Sequence, residues 1–425
     1  GGAAAASPTP TPLLRPAPPA RPLPHTPVTD IHTHLYAPAF GDLLLWGVDE
    51  LLTYHYLVAE FFRRSAMPYE EFWKLPRPAQ ADLIWRTLFV ESTPVSEACR
   101  GVLTVLERLG LDPGRRDLAA YRAFFAGRSR ERQIDLAFEK AGLRDCVMTN
   151  DPFDDRERPV WLAGAPADTR FKAALRIDPV LLDWARAGPR LREWGYRVEP
   201  EPDARTFDEV RQFLQEWARR TRALYVGVSL PPTFAMPEES TTARLLERAV
   251  LPACRDLGLA LALMIGVKRR VHPELELAGD AVGRARIEAV EYLCGRFPAN
   301  RFMVTMLSRE NQHELCVAAR KFRNLLPFGC WWFVNVPGLI EEITRMRLEL
   351  LGTSFVAQHS DARVLEQVIY KWDHSRRVVG KVLFEKYAEL LESGWAFEER
   401  EIRRDVEELL GGRFWAFLGR RPSEA

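Results

Sequence analysis

The sequence predicts an α/β protein, a (β/α)8 TIM barrel with a helical insertion after its first strand, and three observations predict it. From residue 135 onward, short apolar runs alternate with amphipathic stretches, the pattern of parallel strands joined by crossover helices. With the strand that carries His32 and His34 these runs number eight, enough to close a sheet on itself. No G-x-G-x-x-G follows the first strand, so the competing open, doubly wound sheet lacks its signature.

Residues 1–27, rich in Ala and Pro without helical or strand period, predict a disordered, solvated tail, and residues 28–425 the barrel. The tail has no basic start followed by an apolar block, so no secretory signal is expected. Val28 to Leu35 reads as the first strand. Between about residues 42 and 130 the apolar spacing is helical, at 48–64, 68–73, 79–88, 95–109 and 118–125. That is too long for one crossover and predicts a helical layer over the barrel mouth, with Tyr54, His55 and Tyr56 on its first helix. Strands are then expected at 145–149, 171–176, 224–229, 259–265, 301–306, 325–333 and 354–358. Helices are expected at 131–141, 206–219, 240–256, 283–296, 311–322, 338–351 and from 381 to 417.

Composition narrows the function. The 425 residues are 47% hydrophobic and 28% charged, which suits a large buried core. A net charge of +1 gives no global field for nucleic acid or an anionic membrane, so an anionic ligand must be met locally. Six cysteines without a C-x-x-C pair fit buried thiols in a reducing, cytoplasmic setting, and no apolar run is long enough to span a bilayer.

The chemistry is expected at the C-terminal ends of the strands. Side chains alternate along a strand, so His32 and His34 face the same way, about 6 to 7 Å apart, and can grip one divalent ion. The alternative is a pair of half-buried or solvated histidines. Asp361, after the last strand, supplies a third ligand and a candidate base; its alternative is a loop ion pair with Arg363. Arg176, Arg269, Trp331 and Trp332 add cations and aromatic surface at other strand ends.

Taken together, D-I-H-T-H-L at Asp30–Leu35, Y-H-Y at 54–56, T-N-D-P at 149–152, L-R-I-D-P at 175–179, I-G-V-K-R at 265–269, W-W-F at 331–333 and S-D-A-R at 360–363 resemble the uronate (glucuronate) isomerases of the amidohydrolase superfamily. The resemblance runs from about Thr29 to about Val382. It implies a carbohydrate-metabolic enzyme that interconverts hexuronates and keto sugar acids with one divalent metal, zinc or else Mn, Fe or Ni. By position it puts the metal on His32, His34 and Asp361, and substrate contacts on His55, Tyr56, Arg176, Trp331 and Arg363. Asp361, His55 and Tyr56 are the expected catalytic set, with Trp332 and Arg269 added to the substrate wall. The chain departs from the family at Met264, where a histidine is usual, and at Lys268 to Pro273. A small sugar acid is the expected partner, and a homo-oligomer is compatible with it. Two other readings stay open on the sequence: metal-dependent hydrolysis of an ester, lactone or amide, and a non-catalytic barrel that has lost its metal.

Overall fold

The computed structural model describes residues 26–164 and 167–424, so the expected tail lies outside the described residues except for Thr26 and Pro27. Thr26 is buried, and its carbonyl accepts from the Arg376 guanidinium at 2.8 Å.

Nine strands form. In chain order they are β1 (Val28–Thr33), β2 (Leu143–Asn150), β3 (Phe171–Arg176), β4 (Tyr225–Leu230), β5 (Ala260–Ile265), β6 (Val267–Lys268), β7 (Ala281–Val282), β8 (Phe302–Met306) and β9 (Leu325–Pro327). Seven make one parallel sheet in the order β1-β2-β3-β4-β5-β8-β9; β6 and β7 pair separately as an antiparallel ribbon. Parallel strands covered on both faces are mostly apolar, as β5 is; β1 is equally buried at every position but carries Thr29, Asp30, His32 and Thr33.

The sheet is curled. The segment expected to be the eighth strand, 354–358, makes no ladder; one parallel bridge joins Val356 to Phe328 beyond β9. Other donors of the segment are turned elsewhere: Ser354 N–H donates to Leu351 O and Ala357 N–H to Leu409 O, and just beyond it His359 N–H donates to the Gln358 side chain and Ser360 N–H to the Asp30 carboxylate. A little further on, Asp361 N–H donates to His32 O at 3.1 Å and His34 N–H to Ala362 O at 2.8 Å, so this segment touches both edge strands of the sheet. Likewise the run expected as strand 325–333 stops at Pro327, and a short 3-10 turn, Trp332–Val334, follows.

Two apolar layers result. Inside the curl, Ile31, Val147, Ala174, Tyr225, Ala262 and Met303 meet Phe414 and Trp415 of the terminal helix Arg413–Leu418, which plugs the N-terminal end of the strands. Trp415 Nε1–H anchors the plug on Thr29 Oγ1 at 2.9 Å. Outside, the helices cover the sheet. Helix Ala204–Thr221 shows how: Phe207, Val210, Phe213, Leu214 and Trp217 recur at three- and four-residue spacing on its buried face.

The expected first helix, 48–64, is two helices, Val48–Leu52 and His55–Phe61, with Tyr54 as the N-cap of the second. Helices Tyr69–Lys74, Arg77–Trp85, Glu97–Arg108 and Leu118–Ala126 follow. This layer is tied to the loop between β6 and β7 by Trp73 Nε1–H donating to Glu274 O at 2.8 Å and by Tyr69 Oη against His272 Nε2 at 3.1 Å. The last long helix starts well before residue 381, running Gln367–Glu392. No described helix is long and apolar enough to cross a membrane.

Candidate active site

His32 and His34 sit on and just after the C-terminal end of β1, and Asp361 reaches them from the segment that follows Gln358. Asp361 Oδ1 lies 3.4 Å from His32 Nε2 and 3.1 Å from His34 Nε2, and the ligand atoms of all three lie within 4.8 Å of one another. Asp361 holds a left-handed backbone, φ 52°, a conformation that Asp tolerates better than most residues.

The hydrogen bonds around His32 decide its tautomer. Nδ1 faces Tyr225 Oη at 3.2 Å and Thr149 Oγ1 at 3.3 Å. Tyr225 spends its proton on Ile31 O and Thr149 spends its own on Thr33 O, so both can only accept from the ring. Nδ1 therefore carries the hydrogen, and Nε2 presents a bare lone pair towards the Asp361 carboxylate. Asp361 Oδ1 is itself buried without a hydrogen bond. The bare His32 Nε2 and the Asp361 carboxylate converge on one buried point beside His34 Nε2 and fit a divalent cation, with a hydrogen-bonded imidazole in the manner usual for metal ligands. Burial and nearby Arg363 push His34 down to about 3, leaving it neutral and free to ligate.

The other expected residues fall around this trio in distinct places. Arg176, with His32 and His34, lines a narrow cleft closed by Thr149, Ser229 and Met264, and its guanidinium is held by Asp178 at 2.6 Å. Met264, one of the positions at which the sequence departs from the resemblance, is thus in the wall of this cleft. His55 is buried on the other side, where burial and Arg363 hold it well below its ordinary pKa, with Asp361 and His34 also within electrostatic reach. His55, Tyr56 and Trp332 line a second cavity of about 310 Å³ with Phe333, Asn335 and Tyr370. Trp332 packs its ring edge-on to His55 at 5.4 Å; Trp331 is buried in the same inner core but lines neither cavity. Arg269 is not brought to the trio. It is half exposed on the loop after β6 and pairs with Asp280 at 2.6 Å; Asp280 lines the second cavity.

Several residues at the site were given no role in the sequence analysis. Tyr225 and Thr149 orient His32 from β4 and β2. His359 packs its ring 5.3 Å from that of His32, buried, and neither ring nitrogen has a hydrogen bond. Lys371, on helix Gln367–Glu392, is buried, donates to Ser360 O at 2.6 Å and lies 5.5 Å from the Tyr56 ring centroid. Burial pulls it down to about 8, against the pull of Asp361 and Asp30. A lysine on an otherwise apolar turn, Val368-Ile369-Tyr370-Lys371-Trp372, was the visible signal.

No protein-family profile matches the sequence, and a search of curated proteins finds no match. Solved structures do match. A uronate isomerase from Bacillus halodurans is 55% identical, superposes with a TM-score of 0.92, and the match covers 93% of this chain and 94% of that one. A uronate isomerase from Thermotoga maritima, at 15% identity and TM-score 0.75, covers 92% of this chain and 94% of its own. A glucuronate isomerase from Caulobacter crescentus, at 16% identity and TM-score 0.72, covers 92% and 90%. At such identities the last two show the fold alone.

Proposed function

Since the chain belongs to the uronate isomerase family, we propose that it interconverts an aldose and a ketose form of a hexuronate, at a site built on His32, His34 and Asp361. The observation that carries the reading is the convergence of the His32 Nε2 lone pair and the unbonded Asp361 Oδ1 on one buried point. One divalent ion, zinc or a similar metal, would be held there and would polarise a substrate oxygen as a Lewis acid. The segment bridging Phe328 and His32 closes the curled sheet into a barrel in this reading, so the trio lies at its mouth.

Isomerisation moves a proton from C2 to C1 of the open-chain sugar while a hydroxyl proton passes between the two oxygens. The residues needed are a base, a proton donor and an anchor for the carboxylate. Asp361, ionised, is the base. His55 is neutral near pH 7 and can take and return the hydroxyl proton. Tyr56, whose buried hydroxyl has no hydrogen-bond partner, can donate to a substrate oxygen. Arg176 and Arg363 are the carboxylate anchors, and the buried Trp332, edge-on to His55, keeps the opposite side of the site dry. Six buried, unpaired cysteines support a reducing compartment such as the cytoplasm.

Metal analysis of the purified chain, with a panel of hexuronates and small lactones, tests this. One divalent ion per chain and turnover of a hexuronate are expected, and His32→Ala should release the ion on dialysis. Turnover of lactones but not uronates would overturn the isomerase reading, and a His32→Ala protein that keeps stoichiometric metal would move the site elsewhere.

A further inference from the structure

The turn that carries Asp361 is gripped on both sides of a single residue. Ser360 N–H donates to Asp30 Oδ1 at 2.9 Å, and Ser360 C=O accepts from Lys371 Nζ at 2.6 Å. The second oxygen of Asp30 accepts from Trp372 Nε1–H at 2.8 Å. Lys371 and Trp372 are neighbours on helix Gln367–Glu392, so one turn of that helix holds the Ser360 carbonyl directly and the Ser360 N–H through Asp30. Asp30 stands two residues before His32 on β1. The histidine strand and the aspartate turn are thereby locked to the same helix.

Two features say that this is more than packing. Lys371, Trp372, Asp30 and Ser360 are all 3% exposed or less, and a buried ammonium whose hydrogen bond goes to a backbone carbonyl costs more than an apolar side chain of the same length. And Asp361, the residue next to the gripped one, has φ 52°, which an unrestrained turn need not keep. We propose that Lys371, Asp30 and Trp372 form a clamp that positions Asp361 against His32 and His34, which makes Lys371 a positioning residue of the site. The proposal rests on the metal-site reading for its consequence, though not for the clamp itself.

Lys371→Met keeps the length of the side chain and removes the donor. In the metal-free protein, amide exchange at Ser360, Asp361 and Ala362 should accelerate at least tenfold relative to the unmodified chain. The apparent dissociation constant for added Zn²⁺ should rise about 10- to 100-fold, as for other groups that orient metal ligands. With metal saturating, kcat should fall by more than KM changes. Val379→Ala, a buried position two turns along the same helix, controls for general loosening and should leave both exchange at 360–362 and Zn²⁺ affinity as they were. If Lys371→Met does not fold, Trp372→Phe, which keeps the ring and loses the N–H to Asp30, should shift both readouts in the same direction by a few-fold. Unchanged exchange and affinity in these variants, or equal changes in Val379→Ala, overturn the clamp. A wild-type chain that binds no Zn²⁺ overturns the metal site instead, and the exchange measurement still decides the clamp.

Discussion

Arg363 lies within electrostatic reach of His34, Tyr54 and His55, and Arg176 lines the cleft with His32 and His34, so both guanidinium groups stand near the cluster. The whole chain has a net charge of only +1, which leaves recognition of an acid to groups placed like these. Loss of one partner from a buried charge pair costs on the order of 3 to 5 kcal/mol. Arg363→Met is therefore expected to lower kcat/KM for a hexuronate by about 10²-fold or more, and to affect an uncharged analogue far less. Equal losses on both would show that Arg363 only orients its neighbours. At this scale the sequence was readable where the physics is local. Strand alternation put His32 and His34 on one face, and both do turn Nε2 to the same oxygen. Tyr225, Thr149 and Lys371 were not readable, because each arrives from another element and betrays nothing in its own neighbours' spacing.

Elements were legible in kind more than in extent. Helix 131–141 was expected where Arg130–Ala141 forms, with Ser129 capping it and Gly142 ending it in a left-handed turn. Strand 354–358 failed because periodicity reports burial and is silent on which backbone group takes each hydrogen bond; the Leu351 and Leu409 carbonyls took those of Ser354 and Ala357 here. Helices Arg158–Ala163 and Trp184–Glu193 were missed, the second carrying Pro189 and Gly188 inside it. What joins these elements includes two buried glutamates. Glu366 accepts from Gly47 N–H and from Gln133, and Glu157 from Tyr36, Asn150 and Asp151 N–H. Burial pushes both carboxyls up to about 7. A raised folded-state value means that the folded protein holds the proton more tightly, so the stability is complete below the unfolded value near 4.5 and is lost as the pH climbs through 7. The melting temperature should fall between about pH 5 and about pH 8. Glu366→Gln, which cannot ionise, should compare better with the unmodified chain at the upper end than at the lower. A difference between the two melting temperatures that stays constant with pH would show that Glu366 does not titrate in this window.

At the scale of the whole molecule, the trio joins the first strand to a turn that comes after the last one. The sheet's own hydrogen bonds close weakly there: one bridge at Val356, then Asp361 N–H to His32 O and His34 N–H to Ala362 O. An ion shared by His32, His34 and Asp361 would span that seam and act as a staple between parts of the chain far apart in sequence. Barrel-like alternation was legible from end to end, but this seam was not, since it depends on how the segment 354–363 spends its donors. The staple has a measurable consequence. A ligand that binds only the folded state, at about a hundred times its dissociation constant, adds about 2.7 kcal/mol. With an unfolding entropy of about 2.1 cal/mol/K per residue, that corresponds in a chain this long to a rise of about 3 °C. Chelation should therefore lower the melting temperature by about that amount, and re-addition of a divalent ion should restore it. His32→Ala should melt at one temperature with and without the ion. A chelator effect of the same size in His32→Ala would mean that the stabilising ion sits elsewhere, and the seam between β1 and Asp361 would then be held by its hydrogen bonds alone.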